Sequence, residues 1–285
     1  MGLPSVGPIF GDIELSAPAS VPDSAAESDA ADEDLAARER PRVAPQVRAP
    51  SVAVSPAKAA TQSPVTVTAP ASEPFAQSGL DADEKRRRLA AMDADEVRGC
   101  TKCHLCESRS HTVFGEGDAD AKLMFIGEGP GFKEDQSGRP FVGPAGELLN
   151  RMIGAMGLAR ERVFIANILK CRAFVPGPPP KDRAPTPDEV AACSPYLERQ
   201  VEIIGPRVIV TLGLPASQYV LQSRLSMSRM RGQWHAWRGI KVMPTWHPAY
   251  ILRREKEGDV EAKRQVWKDL QQVMAELGLE RPKRS

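Results

Sequence analysis

The first 80 residues contain no cysteine, histidine, tryptophan or tyrosine, and Phe10 and Phe75 are their only aromatic residues. They hold 11 of the chain's 26 prolines, much alanine and serine, and an acidic run at residues 27–34. A segment of this composition cannot bury enough apolar surface to offset the entropy lost on ordering. We therefore predict a disordered tail over residues 1–80 and a single folded domain over residues 81–285.

The chain also lacks the features of a membrane or exported protein. No apolar run approaches the length of about 18 residues that a membrane-spanning helix needs. The N-terminus has no basic start followed by an apolar block, as a secretory signal would. Five cysteines, an odd number, favour a reducing compartment over a disulfide framework. We expect a cytoplasmic protein with no membrane partner, and the net charge of +1 does not by itself indicate a nucleic-acid partner.

Short apolar runs alternate with amphipathic segments throughout the folded part. The runs predict strands at 122–126, 163–166, 207–212 and 240–245, and the segments between and around them predict helices at 81–97, 145–156, 186–204 and 260–277. Fully apolar strands separated by helices are typical of a parallel sheet that is covered on both faces. The predicted fold is a single three-layer α/β domain with a central four-stranded, mainly parallel sheet.

Polar residues follow three of these strands. Glu128, Asn167 and His247 each lie at or just beyond the carboxyl end of a different strand. Open α/β sheets bind their ligands in the crevice at this edge. Each residue alone is commonly a turn or structural residue, but their joint placement favours a functional site.

Cysteines form a second cluster of candidates. Cys100 and Cys103 form C-T-K-C, Cys171 follows a predicted strand, and Cys193 lies in a predicted helix. Four thiolates suit either zinc or an iron–sulfur cluster. Cys106 extends the first pair to C-x-x-C-x-x-C, a ferredoxin-like spacing, so spacing alone leaves the identity of the four ligands open.

The motifs together resemble the family 4 uracil-DNA glycosylases, the iron–sulfur members of their superfamily. The resemblance covers about residues 95–278 and rests on G-E-G-P-G at 127–131, G-R-P-F-V-G-P-A-G at 138–146, N-I-L-K-C-R at 167–172 and W-H-P-A-Y at 246–250. It implies an enzyme of base excision repair that flips uracil out of DNA and hydrolyses its N-glycosidic bond. It further implies a structural 4Fe–4S cluster, whose ligands are Cys100, Cys103, Cys171 and Cys193, with Cys106 as a spare.

The resemblance also assigns roles in a base pocket. Phe141 is expected to stack on the flipped base, Asn167 to read its edge, and His247 to donate a hydrogen bond to uracil O2. Gly127 and Gly129 would lie beside the base. The best-known branch of the superfamily has an aspartate where this chain has Gly129, so the carboxylate that handles the attacking water is open among Glu128, which we favour, Asp135, and Glu134.

The basic stretch after His247 is expected to contact DNA. Tyr250, Arg253 and Arg254 would lie in a loop that enters the duplex, and Arg231 would add positive charge nearby. Without the resemblance, a solvated basic loop would be the better interpretation.

Two other functions compete with the glycosylase. One is a non-catalytic, polymerase-associated cluster protein, although such a protein has no need of Phe141, Asn167 and His247 together. The other is a relative that traps uracil-DNA covalently through a histidine in an insert, but the comparable Pro-rich insert at 174–183 has no histidine. We expect this insert to loop out beside the cluster. We also expect a nucleoid-associated monomer that acts on single- or double-stranded DNA, whose tail recruits a replication or repair protein.

Overall fold

The computed structural model describes residues 73–75 and 79–280. The predicted disorder of residues 1–80 therefore lies mostly outside the described residues. The strands of the described part are β1 (Glu116–Gly117), β2 (Leu123–Gly127), β3 (Phe164–Asn167), β4 (Phe174–Val175), β5 (Lys181–Asp182), β6 (Val208–Leu212), β7 (His235–Trp237) and β8 (Ile240–Thr245).

Six of these strands form one sheet in the order β1-β3-β2-β6-β8-β7. The four central strands are parallel, as predicted, and their register pairs Gly127 of β2 with Asn167 of β3. The short edge strands β1 and β7 pair antiparallel with β3 and β8 and were not predicted. The α/β class and the parallel core are therefore confirmed, and the prediction of four strands is extended to six.

Helices cover both faces of the sheet, which confirms the three layers. The α-helices of the described part are α1 (Ala82–Met92), α2 (Phe132–Ser137), α3 (Pro144–Ala155), α4 (Pro187–Ile204), α5 (Leu214–Leu221), α6 (Met227–Met230), α7 (Pro248–Lys256) and α8 (Glu261–Leu277). Strand β2 contributes side chains to the cores on both faces of the sheet. Met124 and Ile126 pack into the core beneath α1, α4 and α5. Leu123 and Phe125 point into the opposite core, which α3, α7 and α8 close.

The start of α4 follows the prediction from its sequence. The Thr186 side chain accepts from the Glu189 backbone N–H, while the Glu189 carboxylate accepts from the Thr186 N–H. This reciprocal pair satisfies two amide donors that the first turn would otherwise leave unpaired. Pro187 occupies the first helical position, where a missing N–H costs nothing. Cys193 is therefore held on a well-anchored helix.

Two segments differ from their predicted form. The residues after His247, predicted as a loop, form α7, with Pro248 at its first position. The Pro-rich insert contains a short hairpin of β4 and β5 rather than only a loop. Arg172 ties this hairpin to the domain, because its guanidinium binds Asp182 at 2.5 Å and lies 5.2 Å from the centre of the Phe132 ring.

Part of the predicted tail packs against the domain. The Phe75 ring lies edge-on to Trp237, with 4.8 Å between ring centroids, and the Phe75 N–H donates to the Arg238 carbonyl at 2.9 Å. Across residues 73–75 and 79–280, none of the helices is both long enough and apolar enough to cross a bilayer.

Candidate active site and cysteine pocket

The polar residues at the strand ends lie along one edge of the sheet. Asn167 is the last residue of β3, Glu128 follows the neighbouring β2, and His247 follows β8. Strand β6 separates β2 from β8 and ends at Leu212, directly before Gly213. Gly213 has φ +85°, and a Cβ built on it would lie 3.0 Å from the His247 Cβ. The bare backbone at this turn therefore allows His247 to approach the other two strand ends.

Gly127 lies between Asn167 and Phe141 at the centre of this edge. A Cβ built on Gly127 would lie 2.7 Å from the Phe141 Cζ and closer still to the Asn167 Oδ1. The rings of Phe141 and His247 are tilted by 32°, with 5.7 Å between their centroids. The structure thus brings Gly127, Phe141, Asn167 and His247 together, as expected for a base pocket.

Phe141 has an unusual backbone conformation. Its φ is +51°, which is uncommon for a residue with a large side chain and persists only when its surroundings enforce it. Arg160 Nη1 donates to the Phe141 carbonyl at 3.3 Å, and Glu134 Oε1 accepts from the Val142 and Gly143 N–H groups at 2.9 and 3.0 Å. Arg160 is itself held by Glu116 at 2.7 Å. These contacts hold the backbone of Phe141 in this conformation.

The Asn167 side chain carries an unsatisfied acceptor. Asn167 is 2% exposed, and within residues 73–75 and 79–280 its Oδ1 is the one buried side-chain oxygen or nitrogen atom without a hydrogen-bond partner. A buried acceptor without a partner costs about 1–3 kcal/mol, so such an atom calls for an explanation. A ligand N–H donor in the pocket would satisfy it.

His247 is held as a neutral imidazole. It caps α7, because its Nδ1 accepts from the Ala249 backbone N–H at 3.1 Å. Burial lowers the pKa of His247 to about 4, with a smaller contribution from the positive charge of Arg253, while Glu134 opposes the shift. With Nδ1 accepting, the ring proton resides on Nε2, which can then donate to a ligand. The N-terminus of α7 adds positive potential at the same place.

The three candidate carboxylates have different surroundings. Glu134 holds the loop of Phe141, as described above. Asp135 is 4% exposed, and its Oδ1 accepts from the Ser110 N–H at 3.0 Å, so its carboxylate supports the segment before β1. Glu128 is half-buried in the turn after β2, and the Leu169 N–H donates to its carbonyl at 3.0 Å.

The predicted DNA-contacting residues lie in and near α7. The Tyr250 ring stacks on Trp246 with 4.6 Å between centroids. Arg254 binds Asp259 at 2.6 Å and Glu257 at 2.8 Å, so its charge is partly balanced within the chain. Arg253 lies near enough to His247 to influence its pKa.

Arg231, which was also predicted to contact DNA, forms an ion pair within the domain. Its guanidinium is paired with Asp269 of α8, whose other contact is a 2.6 Å hydrogen bond from the Thr245 hydroxyl. Thr245 ends β8, two residues before His247. Arg231 and Asp269 therefore fix the strand end that presents His247.

The four predicted cluster ligands line a single pocket. Cys100, Cys103, Cys171 and Cys193 all border it, and Cys106 is not among its lining residues. The other lining residues are apolar apart from Tyr196 and three cationic residues, Lys102, Arg109 and Lys170. Within residues 73–75 and 79–280, no group of three or more His, Cys, Asp or Glu side chains forms a ready site for a single metal ion. The donor set and the surrounding positive charge suit a larger anionic group held by four thiolates.

Lys170 is a site residue that the sequence analysis did not single out. It is 1% exposed, and its Nζ donates to the Asn167 carbonyl at 2.8 Å and to Gln200 Oε1 at 2.7 Å. Burial lowers the pKa of Lys170 to about 8, against the attraction of Cys193 and Cys171. The signal in the sequence was a lysine within the apolar run that joins Asn167 to Cys171.

Comparisons with known proteins agree with the motifs and the geometry. A sequence model described as the uracil DNA glycosylase superfamily matches residues 114–271. A type-4 uracil-DNA glycosylase of Thermotoga maritima is 43% identical over 190 residues, which cover 66% of this chain and 94% of that protein. Type-4 uracil-DNA glycosylases of Saccharolobus solfataricus and Sulfurisphaera tokodaii are 48% identical over 168 residues and 46% identical over 167 residues. The matches cover 56% and 55% of this chain and 75% and 73% of those proteins. The chain therefore belongs to the uracil-DNA glycosylase superfamily and, within it, to the type-4 uracil-DNA glycosylases.

Proposed function

We propose that this enzyme flips uracil out of DNA into the pocket of Phe141, Asn167 and His247 and hydrolyses its N-glycosidic bond. The N-glycosidic bond of a stacked base is inaccessible to an active site, so the nucleotide must leave the stack before the bond is cleaved. The products are free uracil and an abasic site. The observation that carries the proposal is the unpaired, buried Asn167 Oδ1.

Asn167 selects uracil by hydrogen-bond polarity. Its Oδ1 accepts from the N3–H of uracil, and its Nδ2 donates to O4. Cytosine presents an acceptor at N3 and a donor amino group at position 4, so both contacts become repulsive. A site built around buried polar groups rejects a mismatched ligand strongly, because those groups are left unpaired. Phe141, held at its strained φ, supplies the stacking surface.

His247 stabilises the departing base. Its Nε2–H donates to uracil O2 as negative charge grows on that atom, which is the role of an oxyanion-hole donor. The low pKa of His247 keeps the imidazole neutral at physiological pH, so its Nδ1 continues to accept from Ala249 and the ring keeps its orientation. The N-terminus of α7 contributes further positive potential.

Glu128 is the proposed carboxylate for the attacking water. Glu128 directly follows Gly127 at the end of β2, and Gly127 packs against both Asn167 and Phe141. Because the deoxyribose develops oxocarbenium character, Glu128 stabilises this positive charge as well as orienting the water.

The four cysteines of the pocket hold a 4Fe–4S cluster in this proposal. When bound, the cluster supplies a structural staple between segments distant in sequence. Helix α7 contacts the DNA through Tyr250 and the two arginines that follow, with the phosphates replacing some of the ion pairs of Arg254.

The test is release of free uracil from uracil-containing DNA, followed by alkaline cleavage of the abasic site. His247→Ala should slow the chemical step by about 100-fold to 1,000-fold in single-turnover experiments, while binding to abasic DNA stays nearly unchanged. His235→Ala is the matched control, because His235 lies on β7, where its Nε2 contacts the Met230 carbonyl. A covalent protein–DNA band would indicate the trapping chemistry instead, and binding without release of uracil would refute the enzyme. A wild-type rate in His247→Ala would refute the role of that residue.

A further inference from the structure

Lys170 lies between the base pocket and the cysteine pocket. Lys170 is one of the residues that line the cysteine pocket, and its ammonium donates to the Asn167 backbone carbonyl at 2.8 Å. Its own backbone N–H donates to the Cys193 sulfur at 3.2 Å, and Cys171 is the next residue. One residue therefore contacts both the residue that reads uracil and the cysteines.

The charge of Lys170 lacks a carboxylate partner. Both hydrogen-bond acceptors of its ammonium, the Asn167 carbonyl and Gln200 Oε1, are neutral. No aspartate or glutamate in the described parts of the chain forms an ion pair with it. A buried ammonium without a counter-charge is costly, because desolvation penalises the charged form. The four cysteines that line the adjoining pocket supply negative charge when they hold a cluster as thiolates.

We infer that Lys170 is a positioning residue that couples the cluster site to uracil recognition, drawing its counter-charge from the bound cluster and fixing the Asn167 carbonyl with the same ammonium. This inference rests on the proposed function of the base pocket. The cluster with its four thiolates is anionic, so it compensates the buried ammonium. The ammonium in turn fixes the peptide that leaves Asn167, and with it the direction of the amide that contacts the base.

The coupling predicts an effect of removing the Lys170 charge on the cluster and another on uracil excision. On the cluster side, removal of a nearby positive charge makes it harder to add an electron, so the reduction potential of the cluster should fall. On the base side, the Asn167 peptide loses a charge-assisted hydrogen bond. Such bonds are among the stronger ones in proteins, so uracil excision should slow by about 10-fold to 100-fold. Discrimination between uracil and cytosine should weaken with it.

Lys170→Met tests the inference, because it keeps most of the side-chain length and removes the ammonium. Lys85→Met is the matched control. Lys85 is 7% exposed and donates to the Ile204 carbonyl at 2.8 Å, but it pairs with Asp120 and lies on α1, outside both pockets. Both variants remove a buried lysine, so a loss of stability alone should appear in both.

The measurements are iron content, cluster reduction potential, and single-turnover excision of uracil and cytosine from the full-length holoprotein. The expected result is a lower potential and weaker uracil discrimination in Lys170→Met, with both unchanged in Lys85→Met. If Lys170→Met fails to fold, Lys170→Gln keeps a neutral donor and should still lower the potential. An unchanged potential in the variant that folds would overturn the inference, as would a Lys170 variant that matches Lys85→Met in every readout. Absence of uracil release from the wild-type chain would refute the proposed function instead, and the potentials would still report on the cluster side of the coupling.

Discussion

Gly127 offers a sharp test of the base pocket, because a single methyl group placed there enters the space between Asn167 and Phe141. In Gly127→Ala the new Cβ would lie 2.7 Å from the Phe141 Cζ, whereas real Cβ contacts are essentially never shorter than 3.0 Å. The ring must therefore move by at least a few tenths of an ångström. The Asn167 Oδ1 must move farther, since the built Cβ lies closer to it.

The expected loss of activity follows from the steep decrease of hydrogen-bond energy with donor–acceptor distance. A displacement of several tenths of an ångström stretches a bond of ordinary length toward about 3.5 Å, where it contributes little. Loss of one such contact in a buried site costs about 1–3 kcal/mol, or roughly 5-fold to 150-fold in rate. Overpacking of the strand end adds about 1–3 kcal/mol to the loss of fold stability. Both effects come from the same methyl group.

Gly129→Ala is the matched control, two residues away in the same turn. A Cβ built on Gly129 would meet Leu169 no closer than 3.5 Å, an ordinary contact. Single-turnover excision and thermal unfolding, measured on both variants, should therefore show a large loss for Gly127→Ala and a small one for Gly129→Ala. Equal and small effects would refute the packing of Gly127 against Asn167 and Phe141 and, with it, the geometry of the pocket.

Other perturbations address the cluster, the mechanism and the DNA contact. The Cys171→Ser variant should lose iron and visible absorbance and have a lower melting temperature. The Cys106→Ser variant should match the wild type in iron content, absorbance and melting temperature. An intact cluster in Cys171→Ser would show that the four ligands are wrongly assigned. Because the folded pKa of His247 lies below its ordinary value, the imidazole stays neutral as pH falls from 8 to about 5, so the excision rate should decline only as pH approaches about 4. A decline centred near the ordinary histidine pKa would contradict a neutral imidazole that caps α7. Asn167→Asp should slow uracil excision and increase excision of cytosine, because a protonated carboxyl can donate to cytosine N3, and unchanged uracil activity would remove Asn167 from the pocket. Arg254→Ala should weaken DNA binding and reduce the slope of log affinity against log salt concentration by about 0.9, which is the value for one phosphate contact. An unchanged slope would place Arg254 outside the DNA interface.

The sequence predicted the elements that long patterns specify. The four apolar runs became the parallel core, because burial on both faces produces long apolar runs, and the helix predicted at 186–204 became α4. The edge strands β1 and β7 contain two and three residues, too few to produce a pattern. Helix α7 was missed because its amphipathic face follows a motif that was interpreted as a loop.

The placement of the candidate site was predictable from strand ends, but its supporting contacts were not. Convergence of Glu128, Asn167 and His247 follows from parallel topology alone. The structural contacts of Asp135 depend on the Ser110 N–H, which is 25 residues away in sequence. The contact between Lys170 and Gln200 likewise joins residues separated by 30 positions. Long-range partners of this kind leave no periodic trace in a single sequence.

His247 has separate tasks for its two ring nitrogens in the proposed mechanism, since Nδ1 caps α7 and Nε2 donates to uracil O2. Other residue types can replace the capping function of His247 but not its proposed donor function. Asparagine, serine and aspartate all cap helices well, but none would place an N–H donor where the imidazole does. If His247 acts as proposed, a single substitution by one of these capping residues would slow cleavage while keeping the start of α7 capped. The cap of α7 and the proposed hydrogen bond to uracil O2 can thus be separated experimentally at this one residue.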